Sequence, residues 1–192
     1  FCLCVLCVAL TRWLWLRLQG SPRCLLESRS LRIDVTDRLG FKPAGNWIGQ
    51  ICTSLPGNEI LTLEVAEKVV ALGRLPRTLD GLKIAHWSDL HFTGRIGREY
   101  FEFVTQETLR RAPDMIVVTG DIHDTWACRD WFETTIGRLT APHGVFFILG
   151  NHDLRPGRTR ELRSILEGYG LIDLGGKALH RVVLGTEILL AG

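Results

Sequence analysis

The sequence lacks an excess of charge of either sign. Its 23 Lys and Arg against 21 Asp and Glu leave a net charge of +2 over 192 residues, so charge predicts no nucleic-acid binding. Internal repeats and low-complexity tracts are also missing, which excludes solenoids, collagen-like chains and coiled coils. No apolar run reaches the roughly 20 residues needed to cross a bilayer. Six cysteines are present, but their dispersed spacing builds no disulfide framework, and a reducing, cytoplasmic compartment is expected. Cys4-Val-Leu-Cys7 has the spacing of a zinc half-site, yet no second pair follows it, and these cysteines read as small apolar residues. The 46% of hydrophobic residues is that of an ordinary globular domain rather than a disordered chain.

Residues 1–10 carry no charge, and Arg12, Trp13-Leu-Trp-Leu16 and Arg17 follow. Between 12 and 32 stand Arg12, Arg17, Arg23, Arg29 and Arg32 against Glu27 alone. This pattern suits the end of a truncated membrane span or signal sequence with a cytoplasmic flank, which would allow membrane association through this segment. The competing readings are an amphipathic helix packed on the domain and a mistranslated start. The chain starts at Phe1 and stops just after the apolar run Glu187–Ala191, so it is expected to be a fragment. Gly40 to Gly57 is rich in Gly, Pro and Asn and reads as a linker or irregular loop. The expected division is an extension and linker over 1–57 and a folded domain over 58–192.

From Glu59 the pattern becomes regular. Partial alternation over Ile60–Leu72 predicts one or two antiparallel strands. Leu82–Ser88, Met115–Thr119 and Val145–Leu149 are short apolar runs expected as strands, the latter two buried on both faces. Between them Glu99–Arg110 and Trp126–Leu139 have helical spacing, the second with Cys128, Phe132, Ile136 and Leu139 on one stripe. Thr159–Glu167 is a third predicted helix, with Thr159 as its N-cap. Val182–Leu184 and Ile188–Leu190 around Gly185-Thr186 predict a hairpin. The centre is therefore βαβαβα, an α/β fold.

Each central strand is followed by a polar cluster. Asp89-Leu-His91 follows the first, Gly120-Asp-Ile-His-Asp124 the second and Gly150-Asn-His-Asp153 the third. In open α/β sheets ligands bind at the carboxyl ends of the strands, and the clusters recur at βαβ intervals. Asp89 and His91, alternating on an extended segment, would point to one side and chelate one ion. Asp121 has an oxygen for each of two ions, and Asn151 offers a neutral oxygen. Such a set suits Mn, Fe or Zn. Gly120 and Gly150 let the backbone turn sharply beneath the ions. Arg95 and Arg155 lie in these loops and could meet a substrate phosphate. His123 and Asp124 read equally as supports of the ligands or as solvent-facing loop residues. His86 reads as a hydrogen-bonded strand histidine and His143 as a turn residue.

Asp89-x-His91, Gly120-Asp121 and Gly150-Asn-His-Asp153, together and in this order, resemble the calcineurin-like metallophosphoesterase family. Ser88-Asp-Leu-His-Phe92 resembles its bacterial phosphodiesterase-like members. The resemblance implies a four-layer α/β/β/α sandwich, C-terminally incomplete here, with two divalent metal ions. It implies that Asp89 and His91 hold the first metal, Asp121 bridges and Asn151 binds the second. His152 would be the acid near the leaving oxygen, with Asp153 orienting it, and Asn151 and Arg155 would touch substrate. The implied activity is hydrolysis of a phosphate ester, a phosphodiester or phosphomonoester, by a metal-activated hydroxide. The family pattern continues with a further His and a Gly-His-x-His motif. After Asp153 this sequence has only His180, so the fragment alone is expected to be inactive. The alternative is a non-catalytic scaffold, or an inactive truncated product, that keeps the fold.

Overall fold

The computed structural model describes residues 8–13, 24–155 and 157–192. In chain order its elements are β1 (Leu25–Asp34), α1 (Val35–Leu39), α2 (Trp47–Ser54), β2 (Thr62–Val70), β3 (Ile84–Trp87), α3 (Arg98–Arg110), β4 (Met115–Thr119), β5 (Val145–Ile148), α4 (Asn151–Leu154), α5 (Thr159–Gly168), β6 (Ile172–Asp173), β7 (Ala178–Val183) and β8 (Thr186–Ala191). Two compact units result, one of Phe1–Leu31 with Glu64–Arg74, the other of Arg32–Leu63 with Leu75–Gly192. The Cys4–Cys7 pair and most of the apolar start lie outside the described residues, where only 8–13, a helical stretch, is seen. No helix among the described residues is long and apolar enough to cross a membrane.

The larger unit is organised by a parallel sheet of order β3-β4-β5-β6. Ile84 pairs with Met115, Ile116 with Val145 and Phe146 with Ile172. Alternate residues of each strand point to opposite faces, and both faces are covered. Trp87, Ile116, Val118, Val145 and Phe147 pack against Phe101 of α3, Leu162 and Leu166 of α5, and Cys128, Phe132 and Ile136. On the other face Met115 and Phe146 pack with Val183, Leu179 and Ile188 of the β7–β8 hairpin. The expected α/β class holds, with helices, parallel sheet and hairpin forming three successive layers. Burial on both faces explains the uninterrupted apolar runs of β4 and β5.

Several local expectations are corrected. Trp126–Leu139 is not one helix but two 3-10 segments, Trp126–Trp131 and Ile136–Arg138. The Thr135 hydroxyl donates to the Trp131 carbonyl at 2.6 Å and Gly137 N–H reaches back to Phe132 O, so side chain and glycine compete with the α-helical ladder. The apolar residues still reach the core. Thr159 is the first helical residue of α5 rather than its cap, and Arg158 at the cap makes no capping bond. The stretch read as a linker is structured. Asn46 caps α2 by accepting from Gly49 N–H at 2.9 Å, and Ala44 forms a bridge with Ile96.

The β7–β8 ladder runs from Ala178↔Ala191 to Val183↔Thr186. It turns at Leu184 and Gly185, with φ of 48° and 79°, the two left-handed residues that a two-residue hairpin loop of matching twist requires. A single strand, β2, takes up the alternating stretch after Ile60 and pairs with β1.

Candidate metal centre

The loops after β3 and β4 run side by side and prolong the parallel ladder beyond the strands. Asp89 N–H donates to Gly120 O at 3.2 Å, His91 N–H to Asp121 O at 2.9 Å and Phe92 N–H to Ile122 O at 3.0 Å. Phe92 is fully buried, its ring 4.4 Å from that of Phe101. An aromatic anchor therefore fixes the residue that follows His91.

This segment is not the extended one expected. Asp89, His91 and Asp121 have φ of 56°, 44° and 53°, in the left-handed region that non-glycine residues avoid. Such strain persists only where the surroundings impose it, and it concentrates at functional sites. The turn nevertheless brings the two side chains together, with His91 Nε2 3.8 Å from Asp89 Oδ1.

The loop after β5 closes onto the same point. A Cβ on Gly150 would lie 2.6 Å from Asp121 N, and one on Gly120 would lie 2.7 Å from Gly150 Cα. Only glycine at both positions lets the loops approach this closely. His152 N–H then donates to Asp121 Oδ1 at 2.9 Å. The other Asp121 oxygen lies 4.0 Å from His91 Nε2. The rings of His91 and His152 meet edge to face, centroids 4.5 Å apart.

Asp124 joins the two imidazoles. Its Oδ2 is 3.1 Å from His91 Nδ1, and its Oδ1 takes a short bond from His152 Nδ1. Burial works against ionisation of Asp124, but the hydrogen bond from His152 and the charge of both histidines outweigh it and hold the carboxyl below its ordinary range. An ionised carboxylate is acceptor only, so Nδ1 of each ring carries a proton and each Nε2 faces outward from Asp124. That is the arrangement by which a carboxylate sets the tautomer of a metal-binding histidine.

Asp153 does not orient His152. It is buried, and its Oδ1 accepts from Ile122 N–H at 2.9 Å and His123 N–H at 3.1 Å, its Oδ2 from Gly150 N–H at 2.9 Å. His123 Nδ1 adds a fourth contact at 3.1 Å. Burial raises the cost of its charge, but these donors more than compensate, and its carboxyl is also held low. Asp153 is thus the clamp that ties the third loop to the second.

His91, Asp121 and His152 each present a ligand atom within 4.8 Å of the others. An anionic oxygen with imidazole nitrogens, on loops held by glycine contacts and strained backbone, is a donor set that fits a borderline divalent cation. Asp89 stands beside it, two-thirds exposed. Asn151, exposed, opens α4 on the loop that carries His152. Arg155 brings its guanidinium within 3.2 Å of His152 Nδ1. Arg95 lies further along the first loop, its carbonyl taken by Gly45 N–H. His86 is bonded to Thr119 Oγ1 at 2.7 Å, while His180 pairs with Glu187 on the hairpin.

Residues 82–186 match the family described as calcineurin-like phosphoesterase, more than half of the chain. An uncharacterized metallophosphoesterase of Bacillus subtilis, YkuE, is 31% identical over 111 residues, 56% of this chain and 39% of its own. A protein of Chlamydia muridarum named UDP-2,3-diacylglucosamine pyrophosphatase LpxG is 33% identical over 100 residues, 47% of this chain and 29% of its own. A Bos taurus protein named transmembrane protein with metallophosphoesterase domain is 29% identical over 126 residues, 63% of this chain and 28% of its own. The chain spans between about a quarter and two fifths of the length of the first curated relatives it matches. No solved structure matches it.

Proposed function

The chain belongs to the calcineurin-like phosphoesterase family, and we propose that the whole protein hydrolyses a phosphate ester at the centre formed by the three loops. The observation that carries this reading is the convergence of His91, Asp121 and His152 within 4.8 Å, with Asp124 bonded to both imidazoles. Two divalent cations would be held by Asp89, His91, Asp121 and Asn151, with Asp121 shared between them. Bound there, they would supply Lewis-acid activation of water and compensation of charge on the phosphoryl oxygens.

The chain's own residues do the rest. Asp124 holds the His152 ring through Nδ1, which leaves Nε2 to deliver a proton to the leaving oxygen. Arg155 stands beside His152 with donors suited to a phosphate oxygen. Asp153 keeps the loop of Asn151 and His152 in register with Asp121. A non-catalytic scaffold would have no use for three residues held in a strained conformation around one point.

Hydrolysis of bis(4-nitrophenyl) phosphate by the whole protein with Mn2+ tests this reading. Turnover is expected to be abolished by chelator and lowered at least about a hundredfold in Asp121→Asn. Turnover indifferent to chelator, or equal in the variant, would contradict it.

A further inference from the structure

His123 stands outside the donor set, yet it is almost completely buried, at 1% exposure. Its ring sits between aromatics, with centroids 5.6 Å from that of Trp126 and 5.7 Å from that of Phe132. Nδ1 lies 3.1 Å from Asp153 Oδ1. Asp153, ionised, can only accept, so Nδ1 carries the proton. Nε2 is buried and has no hydrogen-bond partner among the described residues. A buried nitrogen left unpaired is destabilising and calls for a reason. An apolar side chain would fill the same slot without that cost. The reason therefore lies with Nδ1.

Asp153 is satisfied without this nitrogen. Its Oδ1 already accepts from the backbone N–H groups of Ile122 and His123, at 2.9 and 3.1 Å. Those donors belong to the loop after β4, whereas Oδ2 accepts from Gly150 N–H at 2.9 Å, at the head of the loop after β5. A side-chain donor added to Oδ1 restricts rotation of the carboxylate and so fixes where Oδ2 meets Gly150. The tolerance there is small, because Gly150 packs on Asp121 too closely to admit a Cβ. Asn151 and His152 follow at once, and His152 N–H donates to Asp121 Oδ1 at 2.9 Å. Burial works against the charge of Asp153, and among the groups that hold its carboxyl low the His123 ring comes first.

We infer that His123 is a positioning residue: through Nδ1 it fixes Asp153 and thereby holds the segment from Gly150 to His152 in place against Asp121. The placement stands without metal or turnover; its consequence for cation binding rests on the hydrolase reading above.

His123→Leu and His123→Asn, made in the full chain, test this together. The two side chains branch alike, and only the asparagine amide can donate where Nδ1 does. Amide hydrogen exchange resolved by NMR reads the segment directly. In His123→Leu the amides of Gly150 and His152 are expected to exchange about fivefold faster, the restraint of one hydrogen bond. Those of Ile116 and Val118 in β4 are expected to keep their rates, because removal of the unpaired nitrogen offsets the lost bond. His123→Asn is expected to restore protection at Gly150 and His152. Titration with Mn2+ is expected to show binding about tenfold weaker in His123→Leu and near that of the unmodified chain in His123→Asn.

A leucine variant that fails to fold, or whose β4 amides lose protection to the same extent, overturns the proposal, because the ring would then support the whole core. Unchanged exchange at Gly150 and His152, or an equal loss in both variants, overturns it as well, since the Nδ1 bond would not be what holds the segment. Equal Mn2+ affinity in His123→Leu and the unmodified chain overturns the consequence for cation binding. A chain that shows the selective loss and its rescue but binds no Mn2+ keeps this proposal and loses the hydrolase reading. One that binds Mn2+ alike in all three forms, with Gly150 and His152 equally protected, does the reverse.

Discussion

Asp124 carries the sharpest consequence at the scale of single residues. One carboxylate holds two imidazoles, so its replacement disturbs both the ligand His91 and the acid His152. Asp124→Asn keeps the shape and removes the charge. We expect kcat of the whole protein to fall about a hundredfold with a smaller change in KM, since substrate contacts are left in place. Steady-state kinetics on the two proteins reads that split, and a change confined to KM would count against the assignment. Asp173 offers an independent electrostatic test away from the site. Its carboxylate is buried among the Gly175 N–H, Arg163 and Lys177. Burial opposes its charge, but these partners outweigh burial and hold its carboxyl low. A carboxyl depressed in the folded state contributes stability above its unfolded value of about 4, lost as pH falls through the folded value. Asp173→Asn should therefore cost about 1–3 kcal/mol near neutral pH, and the deficit should shrink in acid. Urea unfolding at a series of pH values measures it; a deficit constant with pH would show that the charge is not the source.

At the scale of elements, the β7–β8 turn combines a required geometry with an unsuited residue. Leu184 has a φ of 48°, which a branched apolar side chain tolerates poorly and asparagine tolerates well. Leu184→Asn is expected to stabilise the chain by about 0.5–1 kcal/mol, read as a raised Tm. An unchanged or lowered Tm would mean that the half-exposed leucine contributes packing that outweighs its strain. The same scale shows what the amino-acid pattern reveals and what it conceals. The strands β4 and β5 are legible because burial on both faces leaves continuous apolar runs, and Gly120 and Gly150 mark where they must turn. The 3-10 segments after Trp126 are not, because their apolar spacing is helical while Thr135 and Gly137 divert the backbone. Asp153 misleads for a related reason. It follows His152 in the chain, but successive residues on a helix point about 100° apart and do not face each other. The true partner, Asp124, stands three residues after Asp121 in the neighbouring loop, and that spacing was the available signal. Helix α2 was hidden within a stretch rich in Gly, Pro and Asn, whose glycines serve close backbone approach rather than flexibility.

The whole molecule depends on one arrangement. A parallel sheet aligns three loops, glycine and Asp153 draw them together, and His91, Asp121 and His152 meet at the carboxyl edge of the sheet. Because the proposed ligands His91, Asp121 and Asn151 come from three different loops, cation binding reports the assembly of those loops and not a local motif. The most direct test is titration of the chain with Mn2+, followed by loss of the free-ion paramagnetic resonance signal, for the unmodified chain and for Asp121→Asn. Saturable binding is expected, weakened at least about tenfold by the substitution. Absence of saturable binding, or binding equally strong in the variant, would contradict it.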